Sequence, residues 1–132
     1  SVLSRGLGDV YKRQSQIQEF LDDFPNSEYS KDADKLINEL RTRLAEKNME
    51  TGKLYVKLKA YDSAIVSYKI VVNEFYDTKF FNDANMEIIR CLALQKKSDE
   101  AKQYLTELEI NEKSVVTDSF KEQALSVIKD NS

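Results

Sequence analysis

From Ser15 onward, apolar residues recur at three- and four-residue intervals, the period of an α-helix with one buried face. Ile17, Phe20, Leu21 and Phe24 form a first stripe. Pro25 ends it, because proline lacks an amide hydrogen and disfavours helix at the preceding residue. Asn26 and Ser27 then supply turn and cap chemistry. A long stripe follows through Ala33, Leu36, Ile37, Leu40, Leu44, Thr51, Tyr55 and Leu58, with no proline and only Gly52 inside it. The pattern predicts one helix from about Ser30 to about Leu58, roughly 40 Å long at about 1.5 Å per residue. Three further stripes are Tyr61, Ala64, Ile65, Tyr68, Val72 and Phe75; Phe80, Ala84, Ile88, Cys91 and Leu92; and Ala101, Tyr104, Leu105 and Leu108, the last with Ser98 as the expected N-cap. Val116, Phe120, Ala124, Val127 and Ile128 predict a terminal helix from about Val115 to Lys129. The connections span a few residues each, so successive helices should lie antiparallel.

Composition narrows the function classes. The chain has 132 residues, 41% hydrophobic and 33% charged, with three Gly and one Pro, which suits one mostly helical domain. No apolar run approaches the roughly 18 residues of a membrane span. Zero histidines remove imidazole bases, Ser-His and Cys-His nucleophile pairs and His-ligated metals. One cysteine, Cys91, forms neither an internal disulfide nor a Cys-rich zinc site, and its place mid-helix beside Leu92 marks it as a small core residue. Asp22-Asp23 and Asp99-Glu100 read as surface charges rather than a catalytic pair, the second suiting a helix start. No cofactor or metal is expected. The net charge of −3 argues against a nucleic-acid partner.

Two segments match. Phe24-Pro25-Asn26-Ser27-Glu28-Tyr29-Ser30-Lys31-Asp32-Ala33 aligns with Phe75-Tyr76-Asp77-Thr78-Lys79-Phe80-Phe81-Asn82-Asp83-Ala84. In each, an aromatic closes one helix, a capping residue opens the next, and a small Ala lets the following pair approach. The best-formed unit runs from about Ala45 to Thr78, where Gly52, Tyr55, Ala64 and Tyr68 fall at the small and bulky positions of the tetratricopeptide pattern, a helix pair of about 34 residues. Gly52 and Ala64 are small where the two helices come closest; Tyr55 and Tyr68 fill the space beside them. A second unit from about Asn82 places Leu92, Ala101, Leu105 and Leu108 equivalently, with Ile89 at the Gly position and Ala84 small at its start. Tyr76 stands where the pattern closes on Pro. The interval between the matched segments exceeds one repeat by about five helical turns, which lengthens the helix beginning near Ser30. The expected fold is therefore all-α: a tetratricopeptide-like antiparallel helix-pair array (α-solenoid) with one long helix and a C-terminal capping helix, over residues 15–132. Residues 1–14 lack a helical stripe at their start, resemble a translated library-adapter sequence, and are read as a non-native tail.

The overlong helix, the Phe-Pro-Asn-Ser and Phe-Tyr-Asp-Thr repeat ends, Leu44-Ala45-Glu46-Lys47 leading into Gly52-Lys53-Leu54-Tyr55, and the turn Ala60-Tyr61-Asp62-Ser63-Ala64-Ile65 together resemble the BamD-type lipoproteins of the outer-membrane β-barrel assembly machinery. The resemblance covers about residues 15–110, the middle and C-terminal repeats. It implies a non-enzymatic protein–protein scaffold on the periplasmic side of the outer membrane, lipid-anchored in its full-length form. Family members carry a signal peptide and a lipid-modified cysteine near the mature N-terminus. Neither is seen here, which implies an N-terminally truncated fragment. Its partners would be other machinery components, chiefly the barrel protein's soluble domains. Another cell-envelope tetratricopeptide adaptor that binds peptides or partner domains is the alternative, and the regulatory half of an enzyme is a more remote one.

In such arrays the first helix of each pair lines the concave face. The expected groove residues are Glu46, Met49, Lys53, Val56 and Lys57 in one unit, and Asp83, Met86, Arg90, Ala93 and Leu94 in the next. Mixed charge with flexible Met and Lys suits an extended peptide or a partner domain. The outer face of the terminal helix is a further surface for a partner. Deleting residues 1–14 is expected to leave the melting temperature unchanged in a thermal scan; a large drop would place that segment on the core.

Overall fold

The computed structural model describes residues 12, 15, 16, 18, 19, 22, 23, 29–112, 114 and 116–132. The reading of residues 1–14 as a tail lies outside these, Lys12 apart, as do Ile17, Phe20, Leu21, Phe24 and Pro25 of the first stripe. From Tyr29 on, the described residues form helices α1 Tyr29–Lys57, α2 Tyr61–Glu74, α3 Phe81–Leu94, α4 Ser98–Ile110 and α5 Asp118–Asp130. The described residues contain no strand. The fold is an all-α helical repeat array.

The chain divides into two compact units, residues 1–46 and 47–132, with the border inside α1. In the first unit Ser15, Gln16, Gln18, Glu19, Asp22 and Asp23 are helical and exposed, and the Gln18 amide donates to Asp22 one turn on, at 3.2 Å. The early turns of α1 bury Ile37, Leu44 and Ala45. Of the neighbouring pair expected on the buried stripe, Ile37 is 7% exposed and Leu36 47%, so the buried face runs through Ile37 alone.

The second unit is built on a close helix approach. A Cβ placed on Gly52 would lie 2.6 Å from Cε1 and Cζ of Tyr68, so the α2 tyrosine ring lies directly on the α1 backbone. Ala64 is fully buried on the same helix as Tyr68, which is itself 2% exposed; Tyr55 is half-buried. The helix then reverses within three residues. Lys59 takes a left-handed conformation (φ 58°), the Ala60 amide donates to the Tyr55 carbonyl, and the Lys59 amide donates to the Val56 carbonyl. These two bonds satisfy carbonyls left open at the end of α1, as in a Schellman turn. The end of α3 repeats the device: Lys96 is left-handed (φ 63°), with Lys97 donating to Leu92 and Lys96 to Ala93. The same interval separates Lys59 from Lys96 and Ala64 from Ala101, and both alanines are fully buried.

Between α2 and α3 the chain turns on buried Phe75 and Phe81. The Thr78 hydroxyl donates back to the Phe75 carbonyl at 2.7 Å, so Thr78 closes α2 rather than capping α3; Phe80 occupies the N-cap position without a side-chain bond. Ser98 likewise is the first residue of α4 and not its cap, which is Lys97. Asp99 and Glu100 fill the first turn of α4, where the helix dipole favours carboxylates. The terminal helix starts later than the stripe indicated, because Thr117 caps it by accepting the Phe120 amide at 3.1 Å.

Helix α3 is the centre of the unit. It packs against α2, α4 and α5, and α4 packs against α5. One stripe of α3 holds Ala84, Ile88 and Cys91, all fully buried. A second holds Met86, Ile89 and Ala93, buried in a cluster with Ala101, Leu105 and Leu108 of α4 and Ala124, Val127 and Ile128 of α5. Asn85, 1% exposed, sits between the stripes and accepts the Tyr104 hydroxyl at 2.6 Å. Polar contacts also fasten α5: Lys96 Nζ donates to the Asn131 carbonyl at 2.8 Å, and Lys121 lies 3.4 Å from Glu109. That exposed ion pair is worth at most about 1 kcal/mol, whereas each fully buried aliphatic side chain contributes about 1.5–3 kcal/mol, so the apolar seam holds the helix.

Gly52→Ala in an open helix would stabilise by about 1 kcal/mol. Here the new methyl meets a buried ring, and overpacking costs about 1–3 kcal/mol. We expect a net loss of about 1 kcal/mol in urea unfolding, and a smaller loss for the same substitution made in a Tyr68→Leu background. A simple gain in stability would mean that α1 and α2 are not in close contact at this point.

Candidate functional site

The residues expected to line a groove fall into three states. On α1, Lys53 and Lys57 are exposed, Met49 and Val56 half-buried, and Glu46 is exposed at the end of the first unit. On α3, Asp83 is exposed and Arg90 and Leu94 are half-buried. Met86 and Ala93 do not line a groove: they are 6% and 0% exposed and belong to the core seam against α4 and α5. The reason is that α5 covers the side of α3 on which they lie. What α3 leaves open is a strip through Asp83, Glu87 and Arg90. Glu87 was not picked out from sequence, although it stands three residues before Arg90, at ion-pair spacing. Arg90 Nε lies 3.4 Å from Glu87 Oε1 and donates to it.

Tyr68 links the two stretches. Its ring rests on Gly52, next to Lys53, and its hydroxyl feels the charges of Glu87 and Arg90. Burial, with the Glu87 charge second, raises its pKa well above the ordinary phenol value; Arg90 opposes them. The bare Gly52 backbone of α1 and the Glu87–Arg90 pair of α3 therefore meet at one buried tyrosine.

Among the described residues no group of His, Cys, Asp and Glu is placed to hold a metal ion. Cys91 is fully buried, and burial, then the nearby Glu87 charge, push its thiol up to about 12. A nucleophilic thiol needs the opposite shift. Burial, with Glu107 second, also raises the pKa of Tyr104, which fits a hydroxyl committed to Asn85. No described helix is long and apolar enough to cross a membrane.

A family model described as "YfiO: Outer membrane lipoprotein" matches residues 3–107, from the chain's start into α4. The chain belongs to the YfiO outer membrane lipoprotein family. The match takes in α1, α2, α3 and most of α4, hence the Gly52–Tyr68 contact and the α3 strip, and leaves α5 beyond it. No curated protein matches the chain. Family membership associates the molecule with the cell envelope and with outer-membrane assembly, as the BamD-type resemblance implied.

The buried thiol has a measurable consequence. Cys91 ionises near pH 9 when unfolded but only near 12 when folded. Between those values the unfolded chain binds fewer protons, so the unfolding free energy must fall as pH rises. The buried tyrosines steepen the fall above about pH 10. Urea unfolding from pH 8 to 10 should show the decline beginning near pH 9, and Cys91→Ala should flatten that first part. An unchanged slope in the variant would show that Cys91 is not the group responsible.

Proposed function

We propose that the chain is a non-enzymatic protein–protein interaction scaffold, part of an outer-membrane β-barrel assembly lipoprotein, acting on the periplasmic side of the membrane. The family match over residues 3–107 carries this reading. The helical repeat supports it: stacked hairpins hold side chains in fixed register over a wide surface, which suits partner recognition.

The surface assigned to partners is the one bordering Tyr68: Met49, Lys53 and Lys57 on α1, with Asp83, Glu87 and Arg90 on α3. Exposed Lys and half-buried Met and Arg suit a partner that brings carboxylates and apolar side chains, such as a soluble domain of the barrel protein. Charges at the rim of such an interface chiefly set encounter rate and salt dependence.

Lys53→Glu with Arg90→Glu should weaken capture of the barrel protein's purified soluble domains by about tenfold or more while leaving the far-ultraviolet circular dichroism unchanged. Unchanged capture would remove these residues from the interface. Capture of a different envelope protein, lost in the same variant, would favour a general adaptor over an assembly component.

A further inference from the structure

A second groove, of about 320 Å3, lies on the second unit between α2 and α4, over α3. Its floor is apolar: Ile65 of α2, Leu92 of α3 and the ring of Tyr104 of α4 are each half-buried there. The Tyr104 ring is held in place by its hydroxyl bond to buried Asn85, so this wall is formed before anything binds. Glu100 and Glu107 stand exposed on the α4 lip, and Lys69 on the α2 lip. Among the described residues neither Glu100 nor Lys69 is ion-paired.

The spacing of the two carboxylates limits what fits. Seven residues apart on one helix, they lie on the same face about two turns, roughly 10.5 Å, from each other. A ligand helix lying alongside α4 places cations at the same separation when they too are seven residues apart. Apolar residues three and four positions after the first cation then face the groove between them. Lys69 on the opposite lip disfavours a helix that is basic all round, so the cations must keep to one edge.

We propose that this groove docks a basic amphipathic helix of a protein partner, with an apolar pair seated on Ile65, Leu92 and Tyr104 and a cation on each of Glu100 and Glu107. This surface is separate from the one bordering Tyr68 and does not rest on the assembly reading.

The probe is a fluorescein-labelled, alanine-based helical peptide carrying Lys, two adjacent Leu and a second Lys at relative positions one, four, five and eight. Fluorescence anisotropy against the full chain at low salt reads its binding. Binding is expected, with loss of about tenfold or more in Kd for Glu100→Lys with Glu107→Lys, and a smaller loss for Glu100→Gln with Glu107→Gln. The Gln pair keeps the test open if charge reversal in the first turn of α4 disturbs folding, as judged by circular dichroism. A peptide with Glu in place of Lys should bind at least about tenfold more weakly. No binding of the Lys peptide, equal binding of the Glu peptide, or equal binding by the substituted chains would overturn the proposal.

Discussion

The second unit depends on one steric fact: at Gly52 the backbone of α1 is bare, and the Tyr68 ring lies against it. A glycine inside a helix costs roughly 1 kcal/mol relative to alanine. The chain bears that cost where a side chain would separate two helices by the width of a methyl. The gain is a large aromatic buried to 2% exposure beside a fully buried Ala64. Because Tyr68 is fixed in this way, its hydroxyl end lies in the field of Glu87 and Arg90, and surface chemistry on two helices is referred to one rigid point.

Helix α3 carries the second constraint. A peripheral helix needs one apolar stripe, but this one has two, facing α2 on one side and the α4–α5 seam on the other. Little of it remains for solvent. That leaves a narrow polar strip on one edge and brings Asn85 inside, where the Tyr104 hydroxyl satisfies its side-chain oxygen. The same bond fixes a wall of the groove between α2 and α4. Core satisfaction and surface shape are thus set by one pair of side chains.

Much of this architecture could be read from residue order. The long helix was expected from about Ser30 to Leu58 and runs Tyr29–Lys57, because nothing in that stretch breaks a helix and its apolar period is unbroken. Positions where small residues recur, Ala64, Ala84 and Ala101, are fully buried. Helix ends were less legible. Thr78 does close α2 and Ser98 does begin α4, but the turns after α1 and α3 are closed by backbone bonds at Lys59 and Lys96, which lysine does not advertise, and Thr117 outcompetes the apolar residues before it for the start of α5. Of the candidate groove residues, those on the side facing away from later chain stay open to solvent or half-buried. Met86 and Ala93 hold positions that line a groove in an open repeat; they are buried because α5 folds back over them, a long-range contact that no local pattern encodes. Glu87 was missed for a simpler reason: a lone acid on a charged helix looks like solvated surface until Arg90 and Tyr68 are seen beside it.

The two left-handed lysines are joined by the same pair of main-chain bonds at the ends of α1 and α3. The chain therefore leaves both places along the same path, whatever side chains surround them. The stretch between Lys59 and Lys96 thus begins and ends at the same kind of corner. Splicing in another hairpin of that length needs no newly invented corner, only neighbours whose knobs and hollows agree, which gives evolution or an engineer a simple way to lengthen or shorten the molecule.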